Sequence, residues 1–357
     1  MIGAACAQAL GRRGLVVGVF DPGPPPGAAS PASAGMLAAQ IEAADDAWLT
    51  LAASARDRYA ALATDLAATT GMDIGLRQDG IAAVAFTDER ANALQNLIAS
   101  QRRAGLRAEW LSGAEVERRW RGAAPGCVGA LFAPDDGAVD PPALTQALVA
   151  DAAQGGARFI HERVTAVSRT AGRVSGVVTD RHQTAARHVV IAAGAWSPAV
   201  IGLPRPLPVV PVRGQLAEVD WPAGVAPATL YHDHGYVLQR GDKAILGSTM
   251  EHAGFDAGVT AAGQAEILSG ARRLLPSLSE RGLRSWAGLR PVTPDGLPLV
   301  GPDREVDGLW YATGHGRNGI LLAALTGDVI ADLIATGATA VDLSLFRPDR
   351  FALGPSP

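Results

Sequence analysis

The chain opens on an amphipathic helical pattern. Residues 1–13 place Ile2, Ala5, Cys6, Ala9 and Leu10 on one face, spaced i, i+3, i+4, i+7 and i+8. Gly14 supplies a stop after Arg12 and Arg13. The β-branched run 15–20 reads as a buried parallel strand ending at Asp21, and the Pro- and Gly-rich stretch 22–31 as a turn. Farther on, Trp48, Leu51, Ala55, Tyr59, Leu62 and Leu66 recur every three or four residues and predict a helix over 48–66, with core packing the simplest role for its aromatics. A strand at 81–86 precedes a helix at 87–103 capped by Thr87. Asp140-Pro141 starts another helix, to about residue 153.

Residues 159–160, 164–167 and 174–178 predict short strands, the last two as a meander. Residues 187–193 form another buried strand, ending in Gly194-Ala195-Trp196, where backbone can approach a ligand closely. No helical periodicity shows over 206–250. Residues 230–238 and 244–249 alternate enough for a hairpin around Arg240-Gly241-Asp242.

Composition narrows the class. The length of 357 residues allows about two domains. A net charge of −4 argues against a nucleic-acid binder, and no apolar run approaches the ~18–20 residues of a membrane span. Lys243 is the only lysine among 31 basic residues, which reads as genome base composition before function. Cys6 and Cys127 give neither a disulfide framework nor a zinc spacing, and fit a reducing, cytoplasmic setting. His232 and His234 can share a strand face, but no third ligand accompanies them, so no metal is expected.

Helix, strand and terminal acid together match the second half of a dinucleotide-binding βαβ unit. Its last glycine opens the helix, and an acid about 20 residues on binds a ribose hydroxyl; Gly3 and Asp21 are 18 apart. An ordinary helix–strand pair fits this half-motif about as well. The C-terminal part is more specific. Arg290 and Arg317, residues suited to bidentate carboxylate binding, precede an apolar helix read as starting at Asn318 or Gly319, running to about Ile334 and stopped by Gly337. Its N-terminus suits an anion, or a ring that becomes anionic.

The segments PASAGML (31–37), VVIAAGAWSP (189–198), LYHDHGYV (230–237), GLRPVTPDGLPLVGP (288–302) and GHGRNGILLAALTGDVIADLI (314–334) together resemble the FAD-dependent D-amino-acid oxidase superfamily, and within it the glycine oxidase branch of thiazole biosynthesis. The resemblance spans nearly the whole chain. It implies an α/β fold: a Rossmann-like, doubly wound and discontinuous FAD domain (1–75, 132–205, 290–357) and an inserted α+β substrate domain on a large mixed sheet (76–131, 206–289).

By position, the resemblance puts the FAD pyrophosphate at Met1, Ile2 and Gly3, and the adenosine ribose at Asp21 with Pro22 beside it. Ala29, Ser30, Ala34, Gly35 and Met36 line the way to the flavin, and Val164 meets adenine through its backbone. Gly194 offers close backbone approach. His315, Gly316, Arg317, Asn318, Gly319, Ile320 and Leu321 wrap the flavin ring. Arg290 takes the substrate carboxylate, supported by Arg317 and Tyr236. Relatives begin with a strand and a glycine turn before the residues matching Met1–Gly3. A start codon placed too late is the expectation here, and a real truncation would weaken FAD binding.

The implied reaction is oxidative deamination of glycine or another small amino acid to imine or oxo acid, ammonia and hydrogen peroxide, with non-covalent FAD and O2 as acceptor. The imine can pass to a thiazole synthase. A homotetramer is implied, with neither nucleic-acid nor membrane partners. The alternatives are a sarcosine or D-amino-acid oxidase or dehydrogenase of the same superfamily, or a truncated, flavin-poor fragment. An NAD-dependent dehydrogenase fits less well, because of the C-terminal ring-binding segment.

Overall fold

The computed structural model describes residues 1–23, 27–43, 45–233 and 235–351. It has the mixed α/β fold expected, dominated by one large mixed sheet.

The first helix, Ile2–Arg12, is buried on more than one face: Ala4 to Leu10 are all inside. It packs between the helix Pro141–Gln154 and the last helix, Ala323–Thr336. Alanines and a glycine make that close approach feasible. A Cβ added at Gly327 would stand 2.6 Å from the Ala5 carbonyl oxygen. Gln8, whose polar side chain would otherwise be a liability inside, donates to Asp151 (2.8 Å). Gly14 adopts the left-handed conformation at φ 75°, ending the helix as its sequence requires.

Three sequence expectations change. Only Gly18–Phe20 of the run 15–20 is strand, pairing in parallel with Arg158–Ile160, and Val16 is 98% exposed. This segment is not buried, because it pairs on one side and borders a large cavity on the other. The stripe over 48–66 belongs to two helices, Asp46–Asp57 and Tyr59–Thr70. It survives the break because Arg58 between them keeps helical angles (φ −69°, ψ −20°). The run 230–238 divides into Thr229–His232 and Gly235–Arg240, which pair with each other, so the predicted hairpin is a three-strand meander. The caps at Thr87 and Asp140 form as read, each accepting a backbone N–H at the helix start.

The large sheet has eight strands in the order Arg284–Val292, Val210–Asp220, Lys243–Gly247, Gly235–Arg240, Thr229–His232, Ile81–Ala85, Gly129–Ala133, Glu109–Ser112. All neighbours are antiparallel except Thr229–His232 with Ile81–Ala85. Alternation sorts the faces. Ala82, Val84, Ala217, Val219, Val237 and Leu246 pack with Ile267, Ala271 and Leu274 of the helix Ala261–Leu274. The opposite face carries Tyr231, Tyr236, Gly247, Leu216 and Trp286 in one cross-strand row. A smaller sheet, Val189–Ile191, Leu309–Thr313 and Leu299–Pro302, joins the middle and the end of the chain.

Replacing Gly327 with Val should force the first and last helices apart. We expect a loss of about 1–3 kcal/mol, read as a lower urea midpoint, with Ala at the same position giving a smaller shift.

Candidate active site

One continuous cavity of about 2050 Å³ runs between the smaller sheets and the Tyr236 face of the large sheet. Its lining takes in Asp21, His161, Arg163 and Val164, and also Arg290, Tyr236 and the 315–320 loop. The first turn of the first helix (Met1 to Ala4) lines it too, and that helix start has no side-chain cap. Its free N–H groups and dipole therefore face the cavity and suit an anion. An elongated dinucleotide with a central pyrophosphate fits this arrangement.

Every candidate site residue from the sequence borders this cavity except Leu321, which is 3% exposed and packs in the core with Leu322 and Ile330. The last helix also starts later than read, at Ala323 with Leu322 before it. Residues 319–322 form turns instead, with Leu322 N–H donating to Asn318 O (2.9 Å). The flavin-side segment is thus a loop leading into a helix, not the helix terminus itself.

The 28–36 loop is clamped from several sides. Leu289 N–H donates to Gly27 O (2.7 Å), Trp286 Nε1 donates to Ala32 O (3.1 Å), and Arg240 donates to Ala34 O. Gly35 has φ 80°, and a Cβ there would meet the Val139 carbonyl oxygen at 2.1 Å. Only glycine allows this crossing. On the other wall, Gly316 N–H donates to Pro291 O (2.8 Å), and His315 bridges Val292. These bonds tie the 315–320 loop directly to the strand that carries Arg290.

Arg290 lies across the sheet face on a glycine floor. A Cβ at Gly214 would stand 1.8 Å from its Nη1. Its Nη1 donates to Thr249 O (3.0 Å) and its Nη2 to Ser248 Oγ (2.9 Å). Both acceptors are neutral, and among the described residues no carboxylate hydrogen-bonds this half-buried guanidinium. Burial accordingly pulls its pKa down from the ordinary value. Tyr236 stands opposite Gly247, whose missing side chain makes room for the phenol. Burial raises the Tyr236 pKa and keeps the hydroxyl protonated. Tyr231 stacks on it, centroids 6.4 Å apart.

Arg317 is held differently. Its Nη1 lies 3.2 Å from Glu42 Oε1, and the charge of Glu42, with Tyr231 nearby, raises its pKa. Glu42, Tyr231, Ser248 and Thr249 did not stand out in the sequence. Glu42 sits in an unremarkable AAQIEAAD stretch, and only folding brings it across to the C-terminal arginine. His315 is 2% exposed, with Nε2 3.0 Å from Thr326 Oγ1. Burial lowers its pKa to about 3, so it stays neutral. His232 Nε2 bonds with Gly270 O (3.0 Å), and His234 lies outside the described residues.

A long cavity lined by an uncapped helix start and a half-buried arginine, with a loop tied to that arginine's strand, is an arrangement that suits a flavin-type oxidoreductase. The chain belongs to the FAD-dependent oxidoreductase family, whose model matches residues 1–333. It is 38% identical to the glycine oxidase of Geobacillus kaustophilus (strain HTA426) over 98% of this chain and 94% of that one. It is 34% identical to the bifunctional protein ThiO/ThiG of Trichormus variabilis (strain ATCC 29413 / PCC 7937), over 98% of this chain and 54% of that longer protein. The crystal structure of glycine oxidase from Geobacillus kaustophilus superposes with a TM-score of 0.90 at 35% identity, covering 98% of this chain and 96% of that one.

Two outcomes follow. Gly214→Ala pushes a methyl into the Arg290 guanidinium; KM for a carboxylate substrate should rise roughly tenfold or more, while FAD affinity, measured by flavin fluorescence, stays unchanged. The depressed pKa of His315 makes the unfolded state the stronger proton binder below its ordinary value of 6.5. Stability should therefore fall as pH drops from 6.5 toward 3, and His315→Asn should flatten that fall in urea titrations.

Proposed function

We propose that this protein oxidises glycine, or another small amino acid, at its Cα–N bond. The observation that carries the reading is Arg290: a half-buried cation hydrogen-bonded, among the described residues, only to neutral oxygens, on the wall tied to the 315–320 loop. A substrate carboxylate supplies the missing anion in a bidentate pair. The Tyr236 hydroxyl, kept protonated by burial, donates to the same carboxylate in this reading. Holding the carboxylate there turns the Cα–H toward the 315–320 loop, and this positioning is the chain's main contribution. FAD, when bound, supplies the two-electron acceptor, and O2 takes the electrons onward as hydrogen peroxide. Overall, amine, O2 and water give oxo acid, ammonia and peroxide.

We assign FAD to the segments 1–75, 132–205 and 290–357, and the substrate to 76–131 and 206–289. FAD is held without a covalent link. Cys127 lies outside the cavity, and the buried Cys6 thiol, pushed up to about 12, is a poor nucleophile. The likeness to bifunctional ThiO/ThiG supports passage of the imine to a thiazole synthase. A cytoplasmic homotetramer completes the reading; no helix among the described residues is long and apolar enough to cross a membrane.

The test mixes flavin-loaded protein with glycine, sarcosine and D-alanine, following peroxide in air and flavin bleaching without air. Glycine should give both signals. A flavin that none of the three reduces overturns the reading. Arg290→Ala should cost about 2–5 kcal/mol of transition-state binding, roughly 30- to several-thousand-fold in kcat/KM.

A further inference from the structure

The substrate end of the cavity contains two arginines and one buried acid. Arg290 has only neutral hydrogen-bond partners, whereas Arg317 is paired with Glu42 at 3.2 Å. Two positive charges and one negative leave one positive charge open. Asp233 at the rim is already paired with Arg90 (3.0 Å), and Glu266 on the rim is exposed. The inner site is therefore balanced by one carboxylate and overfilled by two.

The turn that carries Glu42 is anchored. The Glu42 side chain is only 12% exposed, and the two residues before it are tied down: Gln40 N–H (3.0 Å) and Ile41 N–H (3.2 Å) both donate to the Asp136 carboxylate. Asp136 is fully buried and pairs with Arg56 (3.0 Å), which also donates to Gln40 Oε1 (2.7 Å). A turn fixed by a buried ion pair gives Glu42 little freedom to swing aside. Arg317, by contrast, is 43% exposed, and it lines the cavity with Arg290. Without Glu42 it would be a second carboxylate receptor at the mouth of the first.

We propose that Glu42 is a specificity-determining residue that occupies Arg317 and so restricts the site to amino acids with a single carboxylate. This rests on the reading of Arg290 as the carboxylate receptor. A second substrate carboxylate meets an arginine already paired and a fixed like charge, so its desolvation is not compensated.

The test uses flavin-loaded protein and two unreactive probes, acetate and malonate, with dissociation constants read from perturbation of the flavin absorption band. Wild type should bind acetate more tightly than malonate. Glu42→Gln, which keeps the side-chain shape, should tighten malonate roughly tenfold or more and leave acetate within about threefold. It should also raise kcat/KM for iminodiacetate relative to glycine. The double variant E42Q/R317Q should lose the malonate gain. Arg317→Gln alone should move the ratio the other way, because it leaves Glu42 uncompensated, and it decides the matter if E42Q does not fold. An unchanged malonate-to-acetate ratio in E42Q, or a gain that persists in the double variant, overturns the proposal alone. If neither probe perturbs the wild-type flavin, the reading of Arg290 falls, and this proposal with it.

Discussion

The constraint on which this site depends is a half-buried guanidinium hydrogen-bonded only to neutral oxygens. A partly desolvated cation without a paired anion is costly, and the protein around Arg290 lowers that cost only in part, through Ser248 and Thr249. On the proposed reading, a carboxylate ligand relieves the remaining deficit. Binding affinity and substrate class thus have the same origin, and the sheet is arranged to maintain the deficit. Gly214 and Gly247 give the arginine and the phenol of Tyr236 room to lie along the face. On the opposite face, alanine, valine and leucine anchor the strands against a helix.

That deficit would be useless if the redox end of the cavity moved independently. The strand Arg284–Val292 is one partner in the contacts that set both walls: to the 27–32 loop through Leu289 and Trp286, and to the 315–320 loop through Pro291 and Val292. One strand therefore positions Arg290, the 27–32 loop and the 315–320 loop. The first helix presents its uncapped start to the same cavity, held there by close alanine and glycine packing against its neighbours.

Much of this was legible in the chain because it is local. The caps at Thr87 and Asp140, the stops at Gly14 and Gly337, the strand ending before Gly194 and the arginine pair depend on short patterns with direct physical causes. The family resemblance rests on such segments and their order. Legibility failed where a pattern has two outcomes. An apolar run such as 15–20 looks the same whether flanked on both sides or on one. A continuous stripe over 48–66 cannot reveal a break when the residue at the break stays helical. Asn318 and Gly319 are good cap residues, yet residues 319–322 stay in turns and the last helix begins only at Ala323.

By itself, then, the sequence determined the kinds of element, the order of the motifs, the flavin-binding family and the arginine available for a carboxylate. These depend on neighbours within a turn or two, where spacing is set by covalent geometry. Only the tertiary structure decided that Arg290, among the described residues, has only neutral hydrogen-bond partners and that Arg317 pairs with a carboxylate. Glu42 lies 275 residues before Arg317, and no periodicity links them. Their pairing follows from a turn pinned by the buried Asp136–Arg56 pair, and charge compensation inside a cavity is a property of what the fold brings together.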